Sequence, residues 1–123
     1  MPWEVPQKYF DLYPIEDIPD LEIEENDLRD ALVHTRRGWH KFVLENQQWK
    51  HVVQAYLASI SFVDAQIGRL LEALDKSGKA DETIVVLWSD HGMHLGEKEN
   101  WEKFTLWEES TRVPFFVRAP GVS

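Results

Sequence analysis

Hydrophobic and polar positions divide most of the chain into one long helical pattern and two short apolar runs. Within residues 45–78, apolar side chains recur at steps of three and four, which predicts a helix with one apolar stripe. Gly78 follows the last of these positions and predicts the end of the helix. The stripe is typical of a helix that packs on a sheet, and it comprises Val52, Tyr56, Ile60, Val63, Ile67, Leu70, Leu71 and Leu74.

The two apolar runs predict two strands within residues 83–118. Residues 83–88 show no polar alternation, which is typical of a strand buried on both faces of a parallel sheet. Residues 113–117 form the second run, with Pro114 near its start, where a missing backbone donor is tolerated. A long helix, a short turn and a buried strand make half of an α/β repeat, so we predict an α/β fold.

The N-terminal part of the chain follows neither pattern. Residues 1–30 begin with prolines interspersed with aromatic side chains, which predicts an irregular segment that packs on the rest of the protein. The acidic stretch 20–30 is typical of a solvated loop. We expect one or two helical turns interrupted near Gly38, and we expect His34 and His40 to lie at the surface.

Composition narrows the classes of partner. The chain has 123 residues and a net charge of −9, so it would repel phosphate backbones and anionic membranes, and we predict neither nucleic acid nor membrane as a partner. It contains no cysteine, which excludes disulfides, thiolate metal ligands and a cysteine nucleophile within these residues. No apolar run approaches the roughly 20 residues of a transmembrane helix. These features leave the cellular compartment open.

Candidate chemistry lies directly after the first strand. Asp90 and His91 follow it, and ligand sites in open α/β sheets lie beyond the carboxyl ends of strands. This pair is placed for metal or substrate chemistry, although a polar turn with a surface histidine explains it equally well. Downstream, Lys103 is a candidate for an anion contact, whereas a surface ion pair with Glu99 or Glu102 is the simpler interpretation.

A metal site needs more than this pair. The carboxylate of Asp90 suits calcium or magnesium, while the imidazole of His91 suits zinc, manganese or iron better. Because calcium takes six to eight oxygen ligands, we expect most of the ligands of a calcium site to come from elsewhere. His94 either reaches the same pocket or faces water.

At this point the residues resemble a known family. Residues 56–71 are similar to the long helix of type I sulfatases of the alkaline phosphatase superfamily. Residues 89–97, Ser-Asp-His-Gly-Met-His-Leu-Gly-Glu, resemble their second metal-and-sulfate segment. Glu108 also matches this segment, and the iduronate-2-sulfatase and choline-sulfatase branch is the most similar. The specific part of the likeness lies in Leu95, Gly96, Glu97, Trp101, Lys103, Arg112, Val113 and Pro114.

The resemblance implies part of an alkaline-phosphatase-like α/β fold and hydrolysis of sulfate esters at a calcium site. Asp90 and His91 match two calcium ligands, and Lys103 matches the lysine that holds the sulfate. Met93 and His94 match positions that face the substrate, which would be a sulfated small molecule or glycan. The family's nucleophile is a formylglycine made from a Cys or Ser in a Cys/Ser-x-Pro-x-Arg motif.

The chain also departs from the family pattern. No Cys/Ser-x-Pro-x-Arg motif and no N-terminal Asp pair occur in it. We therefore expect an internal segment of a catalytic domain, cut at both ends, that is inactive alone and whose exposed sheet edges allow self-association. Two alternatives remain: a phosphodiesterase or phosphonate monoester hydrolase of the same superfamily, and a non-catalytic remnant.

Overall fold

A computed structural model describes residues 3–20, 22, 24, 27–29 and 37–122. The prediction for His34 lies outside these residues. In chain order the described elements are the helices α1 (Gln7–Phe10), α2 (Arg37–Glu45) and α3 (Trp49–Lys76), strand β1 (Val85–Trp88), helix α4 (Glu108–Thr111) and strand β2 (Phe115–Arg118). Short 3₁₀ turns lie at Ile15–Asp17, Ala80–Glu82 and Glu97–Glu99.

The N-terminal segment packs along α3 through its aromatic side chains. The ring of Tyr9 meets that of Phe62 edge-on, with centroids 5.4 Å apart. The hydroxyls of Tyr13 and Ser61 lie 2.6 Å apart, and the Gln54 amide donates to the backbone carbonyl of Tyr13 at 2.7 Å. These contacts attach the proline-rich segment to α3. The segment itself forms no long helix, as the sequence predicted.

Helix α2 begins at Arg37 and includes Gly38, so an interruption at this glycine is wrong for the described residues, while the part of the prediction at residues 30–36 lies outside them. A single glycine costs a helix only about 1 kcal/mol relative to alanine, and surrounding contacts outweigh that cost. The helix ends when Gln47 takes a left-handed backbone conformation with φ 53°. The Asn46 side chain then donates to the carbonyl of Phe42 at 2.8 Å, which satisfies one of the last helical acceptors.

Helix α3 lies within the predicted range. Its last turn is closed by Ser77, whose hydroxyl donates to the carbonyl of Leu74 at 2.6 Å. Gly78 follows with φ 71°, the left-handed conformation that a glycine adopts after a helix. The stripe is only partly covered, since Ile60, Val63 and Leu70 are exposed. The prediction that the whole stripe packs on a sheet is therefore wrong for the described residues.

The two strands pair antiparallel, with Val85 opposite Arg118 and Trp88 opposite Phe115. The predicted parallel pairing and burial on both faces are therefore wrong for this pair. Adjacent strand residues point to opposite faces, and both Phe115 and Phe116 are exposed, so neither face is covered by the described residues. Arg118 ties the sheet to the end of α3 through Asp75, with both terminal nitrogens 3.2 Å from one carboxylate oxygen.

The buried apolar side chains lie mainly where the N-terminal segment and α2 meet the rest of the chain. They are Tyr9, Ile18, Leu28, Val43, Ala58 and Trp101. Among the described helices, none is both long enough and apolar enough to cross a lipid bilayer. The mixture of a long helix with a small sheet is consistent with part of an alkaline-phosphatase-like fold, as predicted.

Candidate anion-binding site

The candidate site lies at the carboxyl end of β1. Ser89 turns the chain there, and its hydroxyl donates to the carbonyl of His91 at 2.7 Å. Asp90 projects into solvent, with 84% of its side chain exposed, and one of its carboxylate oxygens lies 3.6 Å from His91 Nε2. The predicted acid–imidazole pair is therefore formed at the predicted strand end.

The structure brings Lys103 to this pair. The Lys103 Nζ lies 2.6 Å from His91 Nε2, so the ammonium group lies on the same side of the sheet as Asp90. His91 Nδ1 lies 2.8 Å from the carbonyl oxygen of Gly92, which can only accept a hydrogen bond. Nδ1 therefore carries the ring proton, and Nε2 accepts from Lys103.

Gly92 is required by close approach of two backbone segments. Its N–H donates to the carbonyl of Ser110 at 2.8 Å. A Cβ atom at this position would lie 2.0 Å from the carbonyl oxygen of Glu109, which is a backbone atom of α4. The glycine thus lets the loop after β1 pack closely against α4, directly beside His91.

His94 is fully buried, with 0% of its surface exposed. Its Nδ1 donates to the carbonyl of Glu97 at 3.1 Å, and its Nε2 lies 2.7 Å from the Thr105 hydroxyl. That hydroxyl also lies 3.0 Å from the hydroxyl of Ser110. In this structure His94 joins three parts of the loop, and a substrate contact for its ring stays a prediction.

His40 is buried beside this loop, so its predicted surface position is wrong. Its Nδ1 accepts a hydrogen bond from the indole N–H of Trp101 at 3.2 Å. Burial lowers the pKa of His40 below its ordinary value, and the charge of Glu99 opposes this shift. The neutral ring that results is the form that can accept from Trp101. The sequence carried no signal for this pair, since its members are far apart in the chain.

Asp27 provides a second long-range tie that sequence reasoning missed. Its carboxylate forms an ion pair with the ammonium group of Lys98 and accepts the backbone N–H of Lys98 at 2.9 Å. Lys98 has a left-handed backbone with φ 53°, which is unfavourable for a side chain of this kind. The hydrogen bond from the Lys98 side chain holds the pKa of Asp27 below 3.8, and the Lys98 backbone and charge add to this, while burial opposes it.

The described residues do not complete a calcium site. Asp90 and His91 supply a carboxylate and one ring nitrogen, while His91 Nδ1 is committed to Gly92. No group of three or more histidine, cysteine, aspartate or glutamate side chains that could hold a metal ion occurs in the described part of the chain. This donor set is smaller than calcium requires.

A pocket of about 450 Å³ adjoins Lys103. Met93 and Lys103 belong to its wall, together with the buried Val43 of α2. The Lys103 Nζ also lies 5.8 Å from the centre of the Phe104 ring, within the range of a cation–π contact. Five of its eleven lining residues are aromatic, namely Trp3, Trp39, Phe42, Trp101 and Phe104.

The strand-end carboxylate, the imidazole and the ammonium group of Lys103 lie together at the carboxyl end of β1. Comparison with known proteins assigns the class. Residues 2–123 match the family model described as Sulfatase, and the chain belongs to the sulfatase family.

The chain is also similar to individual members of that family. It is 42% identical to a sulfatase of Formosa agariphila, over 99% of this chain and 25% of that protein. It is 32% identical to human iduronate 2-sulfatase, over 98% of this chain and 25% of that protein. For the choline-sulfatase of Rhizobium meliloti the identity is 28%, over 99% of this chain and 25% of the relative. The chain thus spans about a quarter of the length of these curated relatives.

Proposed function

We propose that the chain forms part of the sulfate-ester site of a sulfuric ester hydrolase, with Lys103 as the group that holds the sulfate. The observation that supports this most strongly is the 2.6 Å contact between Lys103 Nζ and His91 Nε2 at the carboxyl end of β1. It places a cation beside Asp90 and His91, although Lys103 is distant from them in the sequence. Membership of the sulfatase family supports the same reaction class.

The chemistry of sulfate esters explains the role of an ammonium group here. Negative charge on the sulfuryl oxygens and on the leaving oxygen must be stabilised while the ester bond breaks, and a fixed cation does this without reorganisation. An ammonium group has three hydrogens, of which one points to His91 in this structure. Lys103 therefore has two further hydrogens to donate to sulfate oxygens, and would have all three once the Nε2 lone pair of His91 coordinates a calcium ion instead.

We assign Asp90 and His91 as two ligands of a calcium ion in the active enzyme. The exposed carboxylate of Asp90 provides hard oxygen atoms. The His91 Nε2 lone pair, which accepts from Lys103 in this structure, would coordinate the ion in place of that hydrogen bond. The remaining ligands would come from outside the described residues. A bound calcium ion would supply positive charge for the sulfate oxygens. Met93 would contact the substrate from the pocket wall, and His94 would act by holding the loop.

The chain alone is proposed to be inactive. Its 123 residues include neither a cysteine nor a serine followed by x-Pro-x-Arg, so they supply no formylglycine nucleophile. Incubation with 4-nitrophenyl sulfate and calcium is expected to release no nitrophenol above the uncatalysed rate. Calcium-dependent turnover by this chain would contradict the proposal of inactivity.

Calorimetric titration with inorganic sulfate tests the role of Lys103. The substitution Lys103→Ala is expected to weaken sulfate binding by about tenfold, because a charge-assisted contact is lost. Lys79→Ala is the matched control, since Lys79 is exposed beyond α3 and pairs with Glu82. Equal sulfate affinity of the two variants would contradict the proposal. Tighter binding of a phosphate diester or phosphonate than of a sulfate monoester would instead favour a phosphoryl hydrolase.

A further inference from the structure

The proposed function uses only Met93 and Lys103 from the wall of the aromatic pocket and gives its aromatic side chains no role. It is enclosed by α2, by Trp3 from the N-terminal segment and by the loop 101–104. Its volume of about 450 Å³ is within the range of small-molecule sites, which is about 300–1,000 Å³. The pocket thus has room for the part of a substrate that carries the sulfate.

We propose that this pocket binds the aromatic ring of an aryl sulfate ester while the sulfate group meets Lys103. The inference rests on the proposed function, because it takes the sulfate position from Lys103. Lys103 belongs both to the wall of the pocket and to the contact with His91, so it is the residue at which a ring in the pocket and a sulfate on the ammonium group would meet. The cation at the edge complements the anion of the ester, and the apolar wall complements the ring.

The wall favours an aryl group over a sugar. A sugar ring carries hydroxyls around its edge, and each hydroxyl that is buried without a partner costs about 1–3 kcal/mol. The polar side chains of the wall are few, namely Gln48, Glu102 and Lys103, whereas aromatic and aliphatic side chains form the rest. An aryl ring needs no hydrogen-bond partners and gains from edge and face contacts with Trp39, Phe42 and Trp101.

The pocket is held in shape by contacts that lie behind its wall. Trp101 is buried, and its indole N–H is fixed by His40 of α2 at 3.2 Å. The rings of Trp39 and Phe42 meet edge-on, with centroids 5.8 Å apart. A ring site whose walls are already ordered loses less entropy on binding. These contacts make α2 the element that determines which sulfate ester fits.

Calorimetry on the 123-residue chain with four probes tests this proposal. The probes are 2-naphthyl sulfate, inorganic sulfate, 2-naphthol and N-acetylglucosamine 6-sulfate. The aryl sulfate is expected to bind about tenfold more tightly than inorganic sulfate or the sugar sulfate, because only its ring fills the pocket. 2-Naphthol is expected to bind with an affinity that Lys103→Ala does not change.

Two substitutions locate the ring. Phe42→Ala is expected to weaken binding of 2-naphthyl sulfate about fivefold and to leave inorganic sulfate unaffected. Phe116→Ala is the matched control: both side chains are more than half exposed, and Phe116 lies on β2, outside the pocket. Trp39→Ala, which removes the ring that meets Phe42 in the same wall, repeats the test should Phe42→Ala unfold the protein.

The outcomes separate this inference from the proposed function. Equal affinity for aryl sulfate, sugar sulfate and inorganic sulfate would overturn the aryl pocket, and so would an equal effect of Phe42→Ala and Phe116→Ala. An aryl affinity that falls as protein concentration rises would also overturn it, since a second copy of the chain would then occupy the pocket. Failure of the proposed function is different, because sulfate binding would then be insensitive to Lys103→Ala.

Discussion

Two adjoining regions of the molecule are stabilised in different ways. In the site loop, residues 89–112, polar groups find partners within the protein, and its most enclosed side chain, His94, has a partner on each ring nitrogen. The sheet of β1 and β2 has paired backbones but large exposed side chains on both faces, Phe115 and Phe116 among them. Polar contacts hold the loop, whereas the sheet needs a covering surface to bury its side chains.

This difference in stabilisation indicates which contacts position His91 and Lys103. Asp27 forms an ion pair with Lys98, and His40 accepts a hydrogen bond from Trp101. The loop is therefore bound to earlier parts of the chain at two positions. Directional hydrogen bonds fix positions more narrowly than apolar contact does. The arrangement of His91 and Lys103 therefore depends on the loop and its two ties more than on burial of the sheet.

The largest effect is expected for His94→Ala. Loss of a fully buried ring, with polar groups left behind at Glu97 and Thr105, is expected to cost about 2–4 kcal/mol of unfolding free energy. His51→Ala, at an exposed position of α3, is the control and should change stability by less than about 0.5 kcal/mol. Denaturant titration measures both. Similar values for the two variants would show that the buried network does not hold the loop.

Gly92→Ala is expected to have the next largest effect. The added Cβ meets the backbone of Glu109, so the loop and α4 must separate, at a cost of about 1–3 kcal/mol. Gly68→Ala is the control, because nothing lies within 4 Å of its Cβ position in α3. Removal of a helical glycine should stabilise the protein by about 0.5–1 kcal/mol. If both substitutions shifted the denaturation midpoint in the same direction, the close approach at Gly92 would be disproved.

Asp27→Asn is expected to cost about 1 kcal/mol near neutral pH, since the ion pair with Lys98 is lost while the amide oxygen still accepts. The pKa of Asp27 is lowered in the folded protein, so this contribution is present above pH 3.8 and is lost as the pH falls below that value. Asp20→Asn is the control, because Asp20 is largely exposed in its pair with Lys50. If the unfolding free energies of the two variants changed with pH in the same way, a special role for Asp27 would be refuted.

The smallest effect on stability is expected on the sheet. Phe116→Lys should change the unfolding free energy by less than about 0.5 kcal/mol, but it should reduce self-association, because a charge on an uncovered sheet opposes edge and face contacts. Leu12→Lys is the control at a similarly exposed apolar position of the N-terminal segment. Sedimentation velocity over a range of concentrations measures the result. Association that is unchanged by Phe116→Lys, or equally reduced by both, would exclude the sheet as the surface involved.

The sequence predicted the parts of the fold that depend on local periodicity. The stripe of α3, its end at Gly78 and the apolar run of β1 follow from the spacing of neighbouring residues. Strand direction does not follow from such spacing, and an apolar run that suits a parallel sheet can also pair antiparallel, as β1 does with β2. The exposure of this sheet likewise depends on which other elements are present to cover it.

The candidate site, like the fold, could be predicted from the sequence only in part. Asp90 and His91 could be identified because they directly follow a strand, and Lys103 because it matches a family position. The ties from His40 to Trp101 and from Asp27 to Lys98 join residues far apart in the chain, and no local pattern marks them. A buried histidine with an aromatic donor and a surface histidine look alike in a sequence.

The contact between Lys103 and His91 is tested most directly by nitrogen NMR of the histidine rings. The account predicts that His91 carries its proton on Nδ1, toward the Gly92 carbonyl, and that the Nε2 signal shifts strongly in Lys103→Met. A proton on Nε2, with a signal that does not respond to Lys103→Met, would contradict the account, because the lysine would then have no place beside the strand-end pair.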